Sequence, residues 1–211
     1  MVGFMGCYAA INGLKLARHI VRSETASRVL LVNLELCSLH LQQVDTVEQM
    51  LSFLVFGDGC AASLISADPT GLGMDRFHAA LIPDTRQLIT WHVRDHGFEM
   101  FLSGQVPAAI SVGLQAGANL ILDQASVEAI SLWAVHPGGR SVLDAVEQGL
   151  GLGAQALTAS RRVLARYGNK SSATVMFVLE SLLGSAASGE RGCAMSFGPG
   201  LTAETMLFHK S

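Results

Sequence analysis

The amino-acid sequence predicts an α/β fold built from two related halves. Apolar residues follow helical spacing in some segments and form short branched runs in others, which is the mixture of periods typical of an α/β protein. A helix, a strand, a turn of sequence FGxG and a second strand occur twice, with the turns at residues 56–59 and 197–200. This repetition indicates two equivalent units related by an approximate twofold axis.

The first unit begins with an amphipathic helix over residues 8–22, where apolar and basic side chains fall on opposite faces. Residues 28–33 and 60–66 are short apolar runs of the kind found in buried strands. The section between these strands is irregular or helical up to residue 54. The FGDG sequence of residues 56–59 then predicts a turn, because its glycines permit a tight reversal of the chain.

The second unit has the same order at the C-terminal end. We expect a helix over residues 171–183 and strands over residues 193–197 and 202–208, with the FGPG turn between the strands. The section between the two units predicts strands near residues 77–82, 89–93 and 129–135 and helices near residues 106–122 and 140–150.

No comparable section precedes the first unit. We therefore expect the chain to be the C-terminal part of a longer protein, with residues 1–74 as the remainder of the first half and residues 75–211 as the second half. Exposed strand edges and uncovered apolar faces should follow from the missing strands and helices.

The composition excludes several classes of protein. Of 211 residues, 50% are apolar and 15% are charged, and the net charge is -3. Such a chain can bury a core, so it is not disordered, and without a basic block it is not expected to bind nucleic acid. The longest uncharged stretch is interrupted by polar side chains, so no membrane association is expected. Four cysteines without a CxxC pair indicate a reduced, cytoplasmic protein.

Three residues lie at positions where α/β proteins commonly carry catalytic groups. Cys7 directly precedes the first helix, where unpaired N–H groups and the helix dipole favour a thiolate. His136 ends an apolar strand before a glycine turn, and Asn169 precedes the helix of the second unit. Each also has a structural interpretation, as a small apolar residue, a solvated loop histidine and a capping amide. The repeat places Cys7 and Asn169 opposite each other.

The order Cys, His, Asn also occurs in papain-like proteases, but the context GCYAA lacks their local signature. Five motifs instead resemble the type III polyketide synthases, chalcone synthase-like enzymes of the thiolase-fold condensing group. They are GCYAA at Cys7, VFGDGCAA at Phe56, WAVHPGGR at His136, YGNKSSAT at Asn169 and SFGPGLTAET at Phe197. Five motifs in this order are a specific signal. The resemblance implies a thiolase-like layered αβαβα fold with a truncated first half, and a homodimer for the full-length protein.

The resemblance also implies an activity, that of an acyltransferase which joins an acyl-CoA starter to malonyl-CoA. Cys7 would carry the starter acyl group as a thioester. His136 and Asn169 would donate hydrogen bonds to the malonyl thioester oxygen and stabilise the enolate formed by decarboxylation. Repeated extension and cyclisation would follow. CoA thioesters are the implied substrates and small-molecule partners, with no metal and no bound cofactor.

A further set of residues is implied to bind substrate. It comprises Phe56, Cys37, His40, Trp91, Met100, Ser171, Gly198, Pro199 and Gly200. Phe56 matches a gatekeeper between the CoA tunnel and the cavity, although a core aromatic is an equal interpretation. Met100 replaces a second gatekeeper aromatic, Trp91 a small residue, and Cys37 and His40 replace threonines of the plant cavity. These departures resemble bacterial members and are consistent with a long-chain or small acyl starter giving a pyrone or resorcinol.

Two alternatives remain open at this point. The chain could be a catalytically silent fragment that survives as a binding or assembly remnant. It could also be a ketoacyl-carrier-protein synthase III-like enzyme, since those enzymes share the Cys, His and Asn and would use an acylated carrier protein.

Overall fold

The computed structural model describes residues 1–3, 5–44, 46–95 and 97–211. These residues form six α-helices and eight β-strands. In chain order they are α1 (Ala9–Ser23), β1 (Val29–Glu35), α2 (Val47–Val55), β2 (Gly59–Ile65), β3 (Leu72–Leu81), β4 (Ile89–Arg94), β5 (Gly97–Leu102), α3 (Val106–Ile121), β6 (Leu132–Val135), α4 (Arg140–Leu150), α5 (Thr158–Tyr167), α6 (Ala173–Ser185), β7 (Arg191–Gly198) and β8 (Thr202–Lys210). Short 3-10 turns cover Gly6–Tyr8, Cys37–His40 and Val127–Ala129.

The larger sheet has four strands in the order β3-β8-β7-β6. β6 runs parallel to β7, while β7 with β8 and β8 with β3 are antiparallel. Helices α3 and α4 pack on one face of this sheet and α1 and α6 on the other. Both faces of β6 and β7 are therefore buried, which explains why these strands are continuous apolar runs in the sequence.

The smaller sheet is the antiparallel pair β1 and β2. Its inner face packs on α1 and α6 through residues such as Leu31 and Ile65. Its outer face carries Leu30, Val32, Leu34 and Leu64, which are 51% to 64% exposed. The layers are thus helix, sheet, helix and sheet, and the predicted uncovered apolar face is confirmed.

The internal repeat is visible in the fold. The units α1-β1-β2 and α6-β7-β8 each consist of a helix followed by an antiparallel strand pair. The helices α1 and α6 pack together between the two sheets. The predicted division between residues 74 and 75 falls within β3, and it stays a prediction.

Two elements differ from the sequence prediction. Strand β5 was not expected, and it pairs with β4 in a hairpin separate from the larger sheet. Helix α5 is expected from the sequence only as a surface helix without bounds, carrying the basic residues Arg161, Arg162 and Arg166. Its Arg161 bridges Asp144 and Glu147 of α4, with a nitrogen to oxygen distance of 2.6 Å in each pair. None of the described helices has the length and apolar composition required to cross a membrane.

Candidate active site

Cys7 lies in the 3-10 turn that leads into α1. The preceding Gly6 has φ 61°, a left-handed conformation that glycine adopts without strain. A Cβ at Gly6 would lie 3.4 Å from Cδ of Pro199, so the turn rests against the FGPG turn. Around the Cys7 sulfur are the side chains of Ser171, Glu35 and Cys37.

The environment of Cys7 favours the neutral thiol. Burial raises the pKa of the thiol to about 12, against a hydrogen bond with Ser171 that lowers it, and the carboxylate of Glu35 raises it further. Burial therefore opposes the effect expected from the helix N-terminus, and the expected thiolate stays a prediction. Cys7 precedes the first helical residue of α1 by two positions.

His136 follows β6 and continues its pairing with β7, since its N–H donates to the Met195 carbonyl at 2.8 Å. Its side chain is 2% exposed, and neither ring nitrogen has a hydrogen-bond partner within the described part of the chain. Burial lowers the pKa of the imidazole to about 3. The ring is therefore neutral, with one N–H donor and one acceptor nitrogen available to a ligand.

The orientation of the Asn169 side chain is fixed by its hydrogen bonds. Its Oδ1 accepts the N–H of Ser171 at 2.9 Å. The Thr174 hydroxyl lies 3.3 Å from the same oxygen and shares its one hydrogen with the Ser171 carbonyl at 2.9 Å. Because a backbone N–H can only donate, the oxygen must be on that side and the amide nitrogen on the other. Nδ2 donates to the Gly138 carbonyl at 3.2 Å, which uses one of its two hydrogens.

A continuous set of contacts joins Cys7, Asn169 and His136. The Cys7 thiol contacts the Ser171 side chain, and the Ser171 N–H is bound to the amide of Asn169. Asn169 in turn reaches Gly138, where a Cβ would lie 3.8 Å from Nε2 of His136. The structure thus brings the three predicted catalytic residues into one region, and their catalytic roles stay predictions.

Glu35 and Ser172 are two polar residues of this region that the sequence analysis did not predict. Glu35, at the end of β1, accepts hydrogen bonds from the N–H of Ser172 at 3.1 Å and from the Ser172 hydroxyl. The neighbouring Ser171 has φ 49°, which is unusual for a residue with a side chain. Cys37 lies beside Glu35, and burial raises the pKa of its thiol to about 11. An acidic residue ending an apolar strand was the signal available in the sequence.

Three of the predicted substrate-binding residues are neighbours around an aromatic cluster. His40 contacts Trp91 and Phe98 edge to face, with ring centroids 6.3 Å and 5.3 Å apart. Met100 is the cross-strand partner of Trp91 in the β4-β5 hairpin. Phe98 was not predicted, and its pairing with His40 depends on a hairpin that the sequence did not reveal.

Phe56 is joined to the backbone of Asn169. The two residues form a parallel β-bridge, and the N–H of Gly57 donates to the Asn169 carbonyl at 2.8 Å. The predicted gatekeeper and the predicted amide donor therefore lie on adjoining backbone segments.

Packing against Tyr8 explains the first glycine of the FGPG turn, Gly198. A Cβ at Gly198 would lie 2.5 Å from Cδ1 of Tyr8, so a side chain there would displace the tyrosine. Pro199 contacts the turn before Cys7 at Gly6. Substrate binding by Gly198, Pro199 and Gly200 stays a prediction. All four cysteines are free, and the described residues contain no group of three or more metal-ligating side chains placed to hold an ion.

The layered architecture, with Cys7 and Asn169 preceding the paired central helices, defines a thiolase-like fold. Solved structures share it. PKS-I from the brown alga Ectocarpus siliculosus has a TM-score of 0.89 and 32% identity, and the match covers 99% of this chain and 59% of that one. The 1,3,6,8-tetrahydroxynaphthalene synthase of Streptomyces coelicolor A3(2), a bacterial type III polyketide synthase, has a TM-score of 0.88 and 30% identity, covering 98% and 61%.

Sequence comparison identifies the family within that fold. The profile described as chalcone and stilbene synthases, C-terminal domain, matches residues 75–211, and that of 3-oxoacyl-[acyl-carrier-protein] synthase III matches residues 4–82. The alpha-pyrone synthesis polyketide synthase-like Pks18 of Mycobacterium tuberculosis is 35% identical over 220 residues, which cover 99% of this chain and 56% of that relative. The chain belongs to the chalcone and stilbene synthase family of type III polyketide synthases. It spans less than two thirds of the length of these relatives.

Proposed function

We propose that the protein carries the active site of a type III polyketide synthase, which condenses an acyl-CoA starter with malonyl-CoA and cyclises the product. The observation that carries this proposal is the set of contacts joining Cys7, Asn169 and His136 across the two halves of the fold. Membership of the family supports the same reaction class.

The first step is acyl transfer to Cys7. The sulfur attacks the thioester carbonyl of the starter, a carbon–sulfur bond to Cys7 forms, and the bond to CoA breaks. Burial disfavours both the Cys7 thiolate and the His136 imidazolium, so the sulfur has to lose its proton for the attack. The thiol proton passes to the free nitrogen of His136 during the attack and then to the departing CoA sulfur.

The second step is decarboxylative condensation. Malonyl-CoA loses CO2, and the enolate oxygen accepts hydrogen bonds from the His136 N–H and from the second amide hydrogen of Asn169. The enolate carbon then attacks the acyl group on Cys7, so that a carbon–carbon bond forms and the bond to sulfur breaks. Neutral His136 suits this role, because a neutral ring can donate one hydrogen bond to the enolate oxygen. Condensation releases Cys7 as a thiolate, which takes up a proton from solvent to restore the thiol.

The acyl end of the site is formed by the remaining predicted residues. The growing chain is enclosed by Cys37, near Cys7, and by the group of His40, Trp91 and Met100. Phe56 lies at the entrance. The name of the mycobacterial relative refers to α-pyrone synthesis in that protein, which supports a pyrone product here. The reaction needs no resident cofactor or metal, and we propose a cytoplasmic homodimer for the full-length protein.

The other two functions have weaker support. The exposed outer face of the smaller sheet favours a silent fragment, since it leaves apolar surface unpaired. The match of residues 4–82 to 3-oxoacyl-[acyl-carrier-protein] synthase III favours a carrier-protein substrate.

The test is to incubate the purified chain with an acyl-CoA and with malonyl-CoA labelled in its free carboxyl group. We expect CO2 release and a condensed product. Asn169→Ala should lower CO2 release about 100- to 1000-fold, because one donor to the enolate is lost, and Cys7→Ala should abolish the product. Asn119→Ala, at an exposed position of α3, is the matched control and should behave like the native chain.

Each contrary outcome identifies one alternative. A folded chain that releases no CO2 from malonyl-CoA, alone or with a carrier protein, supports the silent fragment. Condensation that requires an acylated carrier protein supports the synthase III-like enzyme.

A further inference from the structure

Thr174, the second residue of α6, has a buried hydroxyl that is bound to the segment before its own helix. The residue is 0% exposed. Its Oγ1 accepts the N–H of Lys170 at 2.7 Å and donates to the Ser171 carbonyl at 2.9 Å. The same hydrogen is shared with Oδ1 of Asn169, at 3.3 Å. One hydroxyl therefore contacts each of the three residues that form the turn of the predicted amide donor.

The peptide group between Asn169 and Lys170 is held on both sides. Its carbonyl accepts the N–H of Gly57 at 2.8 Å, and its N–H donates to the Thr174 hydroxyl. Because a peptide group is planar, hydrogen bonds on its two opposite sides restrain its rotation. Removal of the Thr174 hydroxyl would leave only the bond from Gly57.

Ser171 connects the carboxamide of Asn169 to Thr174. Its N–H donates to Oδ1 of Asn169 at 2.9 Å, which forms an Asx turn. Its carbonyl accepts from the hydroxyl and from the N–H of Thr174, at 2.9 Å and 3.1 Å. The φ of Ser171, 49°, is a left-handed conformation that a residue with a side chain keeps only where surrounding contacts hold it. Thr174 supplies these contacts at the carbonyl end.

The Asx turn determines the direction of the amide nitrogen of Asn169. With Oδ1 bound to Ser171, Nδ2 lies on the opposite side and donates to the Gly138 carbonyl at 3.2 Å. The second amide hydrogen is then the one left for a ligand beside His136. A rotation of the carboxamide would break both bonds, so a group that stabilises the turn also fixes the direction of this hydrogen.

We propose that Thr174 is a positioning residue, whose hydroxyl stabilises the turn of residues 169–172 and thereby directs the Asn169 carboxamide toward the enolate. The proposal rests on the proposed function, in which Asn169 is one of the two donors. Threonine suits this position because its hydroxyl accepts and donates at once. Valine has nearly the same shape and can do neither, whereas serine keeps the hydroxyl and lacks the methyl group.

The experiment measures hydrogen exchange of side-chain amides by NMR in the chain labelled with 15N-asparagine. The chain has four asparagines, so their signals can be assigned by replacing one asparagine at a time. We expect Thr174→Val to raise the exchange rate of the Asn169 carboxamide about two- to tenfold relative to that of the buried Asn33, the factor for losing one hydrogen bond. Thr174→Ser should keep the native ratio, although it loses a buried methyl group.

Thr205→Val is the matched control. Thr205 lies in β8, outside the turn, and is 2% exposed. Its hydroxyl also donates to a backbone carbonyl, that of Ile121 at 3.1 Å. This variant should destabilise the chain as Thr174→Val does, because it loses the same kind of bond, and should leave the Asn169 ratio unchanged.

Activity separates positioning from a general structural role. Thr174→Val should lower kcat for CO2 release from malonyl-CoA about two- to tenfold, because the amide donor is less well directed. Acylation of Cys7 by the starter does not use Asn169, so its rate should be unchanged. Thr174→Ser should restore CO2 release to the native rate.

The proposal is overturned by an unchanged Asn169 ratio in Thr174→Val, by an equal rise in Thr205→Val, or by a raised ratio in Thr174→Ser. If Thr174→Val does not fold, Thr174→Ser still tests the proposal, since a rise there would assign the role to the methyl group. Failure of the proposed function has a different result, in which the native chain releases no CO2 while the exchange ratios are as expected.

Discussion

At the scale of single residues, burial shifts the pKa values of Cys7 and His136 in opposite directions, and both shifts favour the neutral form. Burial raises the pKa of Cys7 to about 12 and lowers that of His136 to about 3, because each loses the solvent that would stabilise its charged form. Burial therefore favours a thiol and a neutral imidazole in the site. Ionisation of Cys7 must accompany substrate binding or attack.

A pH profile of alkylation tests this state. Iodoacetamide reacts with thiolates, so we expect the rate at Cys7 to stay low through neutral pH and to rise only well above the ordinary thiol pKa of about 8.5. Glu35→Gln should shift the profile to lower pH, because the carboxylate that disfavours the thiolate is gone. Glu24→Gln, at an exposed position, is the control. A Cys7 profile with its midpoint below 8.5 would contradict the expected effect of burial.

Motifs located Cys7, His136 and Asn169 in the sequence, but contacts between distant segments could not be read there. The hydrogen bonds of Glu35 to Ser172 join residues 137 positions apart. The close approach of Gly198 to the Tyr8 ring likewise depends on how two turns meet. Local patterns identify the residue types that carry chemistry, whereas their supporting partners follow from the tertiary fold.

At the scale of elements, most strands were predictable, including the half-exposed β1, β2 and β4, and β5 was not. β6 and β7 have both faces covered, so their apolar runs are distinctive. The sequence placed the start of β6 near residue 129, but Val127–Ala129 form a 3-10 turn and the strand starts at Leu132. β5 pairs with β4 in a hairpin, and α5 is joined to α4 by the Arg161 bridges, so both are stabilised by contacts between segments.

Strand β7 offers a test of how tightly the central layers pack. A Cβ on Gly192 would overlap the ring of Phe208, which is 1% exposed and has no room to move. Gly192→Ala should therefore lower the free energy of unfolding by about 1–3 kcal/mol, the usual cost of overpacking. The control is Gly184→Ala in α6, where a Cβ meets nothing within 4 Å. It should be neutral or stabilise by up to about 1 kcal/mol, and urea unfolding measures both.

At the scale of the whole molecule, the two halves of the repeat are covered unequally. The larger sheet has helices on both faces, while the outer face of the smaller sheet has none among the described residues. Residues of β2, α1 and α6 also border a groove of about 900 Å³ that contains none of the predicted site residues. The low charged fraction of 15% is explained in part by this uncovered surface.

The uncovered outer face of the smaller sheet should behave as a hydrophobic surface, and charged substitutions there should remove that property. Leu30 and Leu64 are cross-strand partners that point outward and are 64% and 61% exposed. The double variant Leu30→Lys, Leu64→Glu should reduce binding of a hydrophobic dye and self-association, with little change in melting temperature, because an opposite-charge pair is tolerated there. Leu31→Lys, on the face packed against α1, should unfold the chain instead. Unchanged dye binding in the double variant would show that this face is already covered.

The bridge between Phe56 and Asn169 links two properties that protein engineers usually adjust separately. The N–H of Gly57 donates to the carbonyl of Asn169, so a change in the loop of Phe56 also disturbs the backbone that carries the Asn169 carboxamide. Under the proposed function, Phe56 lies at the entrance for the starter, and Asn169 binds the enolate. Selectivity and turnover should therefore change together in variants of that loop. Under the proposed function, His40, Trp91 and Met100 are further positions to vary, and the turn of His40 is joined to the same loop by the hydrogen bonds of Ser38 to Asp58.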